Sequence, residues 1–234
     1  MKDSLGDRMK ERYEDRTRYF LPRRTYTIIR LDGKAFHTFT KKFDRPYDKR
    51  ITAWMDATAL ALCKQIQGTR FAYTQSDEIS LLLTDFEGTE TQAWFDGNIQ
   101  KITSVSASMA TAYFNYKSNV CDRINKLAMF DSRVFTISDK VEVENYFIWR
   151  QKDATRNSIQ MVAQSLYSQK ELQGVSTQNL QEKIFQKGIN WNNYNAGFKR
   201  GRIIAKRDLG YEIENPPIFT ENKEYLQDLI PNIR

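Results

Sequence analysis

The stretch YTIIRLDG at residues 26–33 and the stretch FAYTQSDEISLLL at residues 71–83 decide how this chain folds. In the first, a run of β-forming residues over 26–31 ends at Asp32-Gly33, which predicts a strand that stops in a turn. In the second, residues 71–75 and 78–83 predict two further strands joined by a tight turn at Ser76-Asp77. Both stretches therefore end or turn at an acidic residue.

The segments around these strands alternate between helical and extended patterns. Apolar residues recur at helical spacing over 51–66, where Gly68 ends the pattern, and again from 94 or 95 to 113. Residues 129–137 predict a fourth strand, and residues 143–167 predict a further helix. The order β-α-β-β-α-β predicts an α+β, ferredoxin-like fold, with helices on one face of an antiparallel sheet.

This topology brings acidic residues from distant parts of the chain together. In a sheet ordered 4-1-3-2, the first and third strands are adjacent and antiparallel, so Asp32 lies beside Asp77 and Glu78. Carboxylates at strand ends suit two Mg²⁺ ions that also bind the oxygens of a nucleotide triphosphate. Asp-Gly and Ser-Asp are also common turn sequences, so a purely structural role for these acids stays open.

Composition restricts the class of protein. The chain has 234 residues, 36 Lys and Arg against 29 Asp and Glu, and a pI near 9.3. This excess of positive charge favours a polyanionic partner such as nucleic acid.

No apolar run approaches the roughly 20 residues that span a bilayer, which excludes a membrane protein. The first residues resemble neither a secretory signal nor a transit peptide, so we expect a cytoplasmic protein. The two cysteines have no CxxC spacing and predict no metal cluster.

Positive charge is concentrated near the beginning and late in the chain. Residues 8–20 predict a charged helix that Pro22 ends, and residues 197–210 predict a basic hairpin or strand. Acidic residues are interleaved with the first cluster, so a solvated surface would also explain it. We expect a catalytic unit over 1–170 that includes the basic helix. A C-terminal extension over 171–234 would pack on it, and the two would form one functional unit.

Four motifs indicate a resemblance to a known family. In chain order they are RLDGKAFHTF, YTQSDEISLL, FDSRVF and NYFIWRQKDATRNSI. Over residues 8–210 the chain resembles the tRNA-histidine guanylyltransferases and their tRNA-histidine guanylyltransferase-like relatives. The resemblance implies a polymerase-palm-like fold and nucleotide addition to the 5′ end of tRNA, in the 3′-to-5′ direction. It implies that ATP activates a 5′-monophosphate end and that the 3′-hydroxyl of an incoming nucleotide then displaces AMP. It also implies two Mg²⁺ ions, ATP and GTP or other nucleoside triphosphates as substrates, tRNA as partner and a homotetramer.

The resemblance assigns roles residue by residue. Asp32 and Asp77 match the metal-binding carboxylates, with the carbonyl of Gly33 as a further ligand and Glu78 as a neighbouring catalytic acid. The residues implied for nucleotide and triphosphate binding are Arg30, Lys34, Ala35, Phe36, His37 and Ser76. The residues implied for the RNA and its 5′ end are Arg133, Arg150, Asn157, Lys199 and Arg200. Arg150 would also suit a structural ion pair with Asp153, three residues further along a helix.

One departure from the family pattern indicates a branch. Where the histidine-tRNA-specific enzymes read HINN, this chain reads Thr155-Arg156-Asn157-Ser158. The missing histidine is typical of the like-protein branch, which the resemblance links to templated repair of 5′-truncated tRNAs. A guanylyltransferase that adds a single G to histidine tRNA is the alternative enzyme. A non-catalytic RNA-binding protein would suit the basic clusters equally well, and a nucleotide cyclase could use the same sheet topology but lacks its family's signatures.

Overall fold

The computed structural model describes residues 4–119 and 126–233, and Cys121 lies outside these ranges. The strands are β1 Tyr26–Gly33, β2 Thr69–Gln75, β3 Glu78–Leu83, β4 Phe130–Ile137, β5 Arg202–Arg207 and β6 Gly210–Glu214. The longer helices of the described residues are α3 Lys49–Gln65, α4 Ile99–Ser118, α5 Lys140–Leu166 and α7 Thr177–Gln186. The shorter ones are α1 Leu5–Met9, α2 Phe36–Phe39, α6 Gln169–Leu172, α8 Ala196–Arg200 and α9 Glu224–Leu229.

The predicted strand order is confirmed and extended. All pairings in the sheet are antiparallel, in the order β4-β1-β3-β2-β5-β6. The first four strands reproduce the predicted 4-1-3-2 arrangement, and the bounds of β3 agree with the sequence pattern. The basic segment forms the hairpin of β5 and β6, which adds two strands beyond β2. The fold is therefore α+β with a six-stranded antiparallel sheet.

The two helices of the predicted β-α-β-β-α-β core, α3 and α4, lie on one face of the sheet as predicted, and a third long helix, α5, covers the opposite face. Ile29 and Leu31 of β1 pack with α3 and α4, whereas Tyr26 and Ile28 pack with α5 and the C-terminal segment. Alternate residues of a strand point to opposite faces, so each face of β1 requires its own apolar cover. β3 is buried along its whole length for the same reason. The helical period of α5 predicts a helix but does not say which face of the sheet it covers.

Several predicted helix boundaries also shift. α4 begins at Ile99 because Trp94–Gly97 forms a separate 3₁₀ turn, in which Phe95 and Asp96 have φ of 49° and 53°. α5 begins at Lys140, where the side chain of Asp139 accepts a hydrogen bond from the amide of Glu142.

The leading segment is not the single predicted helix over 8–20. α1 continues as a π turn over Lys10–Glu14 and a 3₁₀ turn over Asp15–Thr17. Residues 4–20 are all exposed, so no packing enforces a regular helix there. Within the ranges that the structure describes, no helix combines the length and apolar character that a bilayer crossing requires.

Candidate active site

The candidate site lies where one face of the sheet changes from apolar to charged. On β1 the residues that face α5 are Tyr26 and Ile28, followed by Arg30 and Asp32. On β3 the same face begins with Glu78 and continues through the buried Ser80 and Leu82. Asp32 pairs with Glu78 of β3 on one side and with Asp131 of β4 on the other. The end of the sheet nearest the β2–β3 turn therefore carries a row of acids at the level of Asp32.

The two acidic turns are in direct contact. The amide of Gly33 donates a hydrogen bond of 3.1 Å to the carbonyl of Asp77. A Cβ at Gly33 would lie 2.3 Å from the ring of Phe36, so this turn requires glycine. The structure therefore brings Asp32, Gly33 and Asp77 together, as the predicted topology required.

Both turns place a non-glycine residue in the left-handed region. Ala35 has a φ of 51° and Ser76 a φ of 48°. Such residues are uncommon and are concentrated at sites where the backbone geometry has a function. The Ser76 hydroxyl also donates a hydrogen bond of 3.0 Å to Asp77 Oδ1.

The carboxylates carry negative charge that the protein compensates only in part. Burial raises the pKa of Asp77 to about 6; the hydrogen bond from Ser76 lowers it, and the charge of Asp32 raises it further. Burial also raises the pKa of Asp32, where Arg30 acts in the opposite direction and Asp131 adds to the increase. A cation between these two carboxylates would relieve both effects.

The donor set fits Mg²⁺ bound together with a nucleotide. Mg²⁺ in such sites takes one or two carboxylates and completes its shell with waters and phosphate oxygens. Asp32, Asp77 and the Gly33 carbonyl provide that number of protein ligands. Among residues 4–119 and 126–233, no three or more His, Cys, Asp or Glu side chains gather as a closed metal cage.

Glu78 lies deeper than the other two acids and is bound by arginine. Arg150 of α5 donates through Nε at 2.7 Å and Nη2 at 2.6 Å to its two carboxylate oxygens. Arg30 Nε lies 3.1 Å from Glu78 Oε2, and Arg150 also donates to Asp153 at 2.8 Å. Removing either partner would leave an uncompensated buried charge, so Glu78 and Arg150 depend on each other.

The predicted RNA-binding residues are divided between the surface and the interior. Arg133 is half-exposed beside Asp131, and Asn157 lines a cleft that opens beside Asp77. Arg150 is only 3% exposed, and Lys199, which is 8% exposed, donates its ammonium to the carbonyl of Asn192 at 2.6 Å. Arg200 at the end of α8 is half-buried and does not line the cleft. The structure therefore presents Arg133 and Asn157 to a ligand at this site and keeps Arg150 and Lys199 inside.

A cleft of about 410 Å³ opens beside Asp77. One wall holds six residues that the resemblance assigns to nucleotide and metal binding: Gly33, Ala35, Phe36, His37, Ser76 and Asp77. The opposite wall comes from α5, with Asn157, Ser158 and Met161. Lys34 is exposed outside the lining, and its amide donates to the carbonyl of Met129 at 2.8 Å. The volume is in the range of pockets for nucleotide-sized ligands.

Sequence reasoning did not identify the third wall. Residues 43–48 and Phe198 complete the cleft, and the rings of Tyr47 and Phe198 stack with centroids 4.3 Å apart. The segment precedes α3 and contains no helical or extended pattern, so no local sequence signal marked it as part of a site. Its contact with Phe198, about 150 positions later, depends on the tertiary fold.

Comparison with known proteins finds one matching family and several relatives. Residues 6–138 match the family described as tRNAHis guanylyltransferase, Thg1. The uncharacterised protein R259 of Acanthamoeba polyphaga mimivirus is 31% identical over 88% of this chain and 78% of its own length. The tRNA(His) guanylyltransferase of Debaryomyces hansenii is 29% identical, over 93% of this chain and 88% of its own.

Two solved structures are similar over nearly the whole chain. A bacterial tRNA(HIS) guanylyltransferase (Thg1)-like protein in complex with ATP has a TM-score of 0.92 and 41% identity, covering 97% of this chain and 99% of that one. A complex of such a bacterial protein with GTP has a TM-score of 0.83 and 39% identity, with the same coverage.

Proposed function

Because this chain belongs to the tRNAHis guanylyltransferase family and is thus a nucleotidyltransferase, we propose that it binds ATP and GTP and adds nucleotides to the 5′ end of tRNA. The observation that carries the proposal is the meeting of Asp32, Gly33 and Asp77 at the mouth of a nucleotide-sized cleft. The similarity to bacterial proteins solved with ATP and with GTP supports the same ligands here.

The described side chains fit phosphoryl transfer, in which positioning and charge neutralisation dominate. Asp32, Asp77 and the Gly33 carbonyl would hold Mg²⁺. When bound, it would neutralise triphosphate charge and favour ionisation of the attacking hydroxyl. The turn of Lys34 to His37 would lie along the triphosphate, and Ser76 would keep the Asp77 carboxylate oriented.

The arginines would act on the opposite side of the carboxylates. Arg133, half-exposed beside Asp32, would attract the 5′ phosphate of the RNA. Arg30 and Arg150 would fix Glu78 and the end of β3, so that the metal-binding turn keeps its shape. An oxygen of the 5′-monophosphate end would attack the α-phosphorus of ATP and release pyrophosphate, and the 3′-hydroxyl of the incoming nucleotide would then attack the activated 5′ phosphate and displace AMP.

We further propose that the substrates are 5′-truncated tRNAs and that a template base selects each added nucleotide. The sequence Thr155-Arg156-Asn157-Ser158 supports this assignment, because Asn157 and Ser158 line the cleft without the histidine of the HINN pattern. Addition of a single G to histidine tRNA is the second candidate. The curated relative from Debaryomyces hansenii, named for that activity, favours it.

Fold and assembly belong to the same proposal. The order β4-β1-β3-β2 supports a polymerase-palm-like core, with residues 171–234 as an extension of a catalytic unit over 1–170. We propose a homotetramer that works in the cytoplasm. The exposed apolar side chains of Leu5, Met9 and Tyr13, spaced four residues apart, support a contact between copies.

The first experiment is a 5′-end assay on purified protein. A 5′-truncated, 5′-phosphorylated non-histidine tRNA is incubated with Mg²⁺, ATP and all four nucleoside triphosphates, and the product end is sequenced. Wild type should restore the nucleotide complementary to the template. Asp32→Asn and Asp77→Asn should lose addition, while Asp228→Asn, an exposed carboxylate on α9, should not. Addition of G to full-length histidine tRNA alone would favour the second candidate, and RNA binding without any chemistry would indicate a non-catalytic binder.

A further inference from the structure

Trp149 exposes a large aromatic ring close to the candidate active site. It lies on α5 between the partly buried Ile148 and the buried Arg150, and it is 52% exposed whereas Arg150 is 3% exposed. The sequence motif NYFIWRQ contains this tryptophan, but none of the proposed roles uses it. A single exposed aromatic ring is common on protein surfaces, so the contacts around this one, and not its exposure, carry the argument.

The ring is held by the same side chains that hold the acids. The Arg150 guanidinium lies 4.3 Å from the ring centroid, Arg30 lies at 5.9 Å and Tyr146 meets the ring edge-on at 5.9 Å. Arg150 binds Glu78, and Arg30 Nη2 lies 4.0 Å from Asp32 Oδ2. The indole is therefore fixed in orientation and is linked to the Asp32 carboxylate through a single side chain, Arg30.

The surface beside the ring offers a cation for a phosphate. Arg133 of β4 pairs with Arg30 of β1, so both side chains lie on the face of the sheet that α5 covers. Phe135, two residues later on β4, meets Tyr146 of α5 at 5.7 Å, which confirms this orientation. Arg133 is half-exposed and lies 3.4 Å from Asp131, a distance that marks a weak pair. Trp149 and Arg133 both neighbour Arg30, and a flat ring near a half-exposed guanidinium matches the base and the phosphate of a nucleotide.

This surface is separate from the cleft beside Asp77. The cleft is lined by the α2 turn, residues 43–48 and the later part of α5, and neither Trp149 nor Arg133 contributes to it. Asp32 lies between the two regions, since Gly33 joins the cleft and Arg30 joins the surface of Trp149. A nucleotide in the cleft and an RNA end on the surface would approach the carboxylates from opposite sides.

We propose that Trp149 is a stacking platform for a base at the end of the RNA substrate, with the adjoining phosphate at Arg133. The inference rests on the proposed function, because it takes the RNA end as the ligand. The stacked base is either the 5′-terminal nucleotide or the unpaired template nucleotide of the opposite strand, and both present the same aromatic face.

The test combines variants of Trp149 with abasic RNA. Dissociation constants for truncated tRNA and KM for addition are measured with wild type, Trp149→Phe and Trp149→Leu. Base stacking on an aromatic side chain predicts that Trp149→Leu weakens binding and raises KM by about 5- to 100-fold, with kcat changing little, whereas Trp149→Phe keeps most of the affinity. Phe185→Leu, an exposed aromatic on α7, serves as the matched control and should change neither constant.

Abasic substrates separate stacking from a structural role. Two RNAs lack the base at the 5′-terminal nucleotide or at the unpaired template nucleotide. On the RNA that lacks the stacked base, wild type and Trp149→Leu should bind equally, and the substrate that removes the difference identifies that base. An equal loss on intact and on both abasic RNAs would overturn the proposal, because it would mean that Trp149 acts only by supporting Arg150.

Different results would show that the proposed activity is wrong and that the proposed role of Trp149 is wrong. If wild type adds no nucleotide to any RNA, the proposed activity is wrong, yet the binding measurements still test the platform. If wild type is active and Trp149→Leu binds intact RNA as wild type does, the activity stands and the platform is overturned. Thermal unfolding of each variant shows whether the helix around position 149 is intact.

Discussion

Gly33 lies where the two acidic turns meet, and the ring of Phe36 occupies the space that a side chain at position 33 would need. That ring cannot move easily, because Phe39, Phe114 and Phe130 surround it with centroids 5.1 to 5.4 Å away. We expect Gly33→Ala to cost about 1 to 3 kcal/mol of unfolding free energy, the usual cost of overpacking. It should also abolish nucleotide addition, since the Asp32 turn must shift.

Denaturant unfolding and the 5′-end assay measure these two effects. Gly88→Ala is the control, because a Cβ there meets only the Thr91 hydroxyl at 3.8 Å. Wild-type stability together with wild-type activity in Gly33→Ala would contradict the close packing of Phe36.

The raised pKa of Asp77 predicts that this carboxylate lowers the stability of the folded protein when no metal ion is bound. Its pKa is raised by burial to about 6, so the folded protein binds this proton more tightly than the unfolded chain does. The stabilisation that the neutral carboxyl provides is complete below about pH 4 and is lost as the pH rises through 6. In EDTA at pH 8, Asp77→Asn should therefore be more stable than wild type. We expect about 1 to 2 kcal/mol, since a pKa unit corresponds to about 1.4 kcal/mol and partial exposure screens part of the effect.

Thermal unfolding in EDTA at pH 8 and near pH 4 tests this sign. The gain should shrink towards zero at the lower pH, and Mg²⁺ should raise the melting temperature of wild type more than that of Asp77→Asn. A variant that is less stable than wild type at pH 8 would show that the carboxylate is compensated within the protein. Asp228→Asn on the exposed part of α9 should behave as wild type under all conditions.

At the scale of elements, the loop that forms the third wall of the cleft is anchored by the cap of α3. Asp48 accepts hydrogen bonds from the amide and the guanidinium of Arg50, and its pKa is lowered to about 2, chiefly by the Arg50 side chain. Its stabilisation is present above about pH 4 and is lost as the pH falls through 2. Asp48→Ala should cost about 1 to 2 kcal/mol, as losing a helix cap does.

Comparing Asp48→Asn with Asp48→Ala separates the contribution of the helix cap from that of the ion pair with Arg50. Asparagine caps helices about as well as aspartate, so Asp48→Asn should recover the cap and lose only the ion pair. Urea unfolding gives the free energies, and KM for ATP reports the wall of the cleft that Tyr47 joins. If Asp48→Asn is as unstable as Asp48→Ala, the ion pair and not the cap anchors the loop.

α5 shows what the sequence could and could not predict. The helical spacing of its apolar residues predicts a helix. The order of strands and helices along the chain likewise predicts that Asp32 meets Asp77 and Glu78. The bidentate contact of Arg150 with Glu78 joins residues 72 positions apart, and it exists only because α5 covers the second face of the sheet. Whether Arg150 contacts RNA or binds Glu78 depends on its burial, and the residues next to Arg150 in the sequence do not indicate that burial.

At the scale of the whole molecule, the C-terminal segment completes both the sheet and its α5 face. β5 pairs with β2 through residues that are fully buried, Ile203, Ile204 and Ala205, so the sheet would lose a covered edge without it. The segment after β6 adds Phe219, Leu226 and Ile230 to the core beneath α5. Although the acids of the candidate site, Asp32, Asp77 and Glu78, belong to the first half of the chain, we expect the chain to unfold as one cooperative unit.

Phe219 tests this dependence. Its ring is fully buried, lies 6.1 Å from the ring of Tyr73, and its amide donates at 2.8 Å to the side chain of Gln151 on α5. Phe219→Ala should cost about 3 to 5 kcal/mol, the usual cost of removing a buried phenyl ring. Phe185→Ala, on the exposed part of α7, should cost less than about 0.5 kcal/mol. Near- and far-ultraviolet circular dichroism should give coincident unfolding curves for wild type and for Phe219→Ala. Two separate transitions, with the active-site strands stable in the variant, would instead mean that the C-terminal extension folds independently and that the carboxylates do not depend on it.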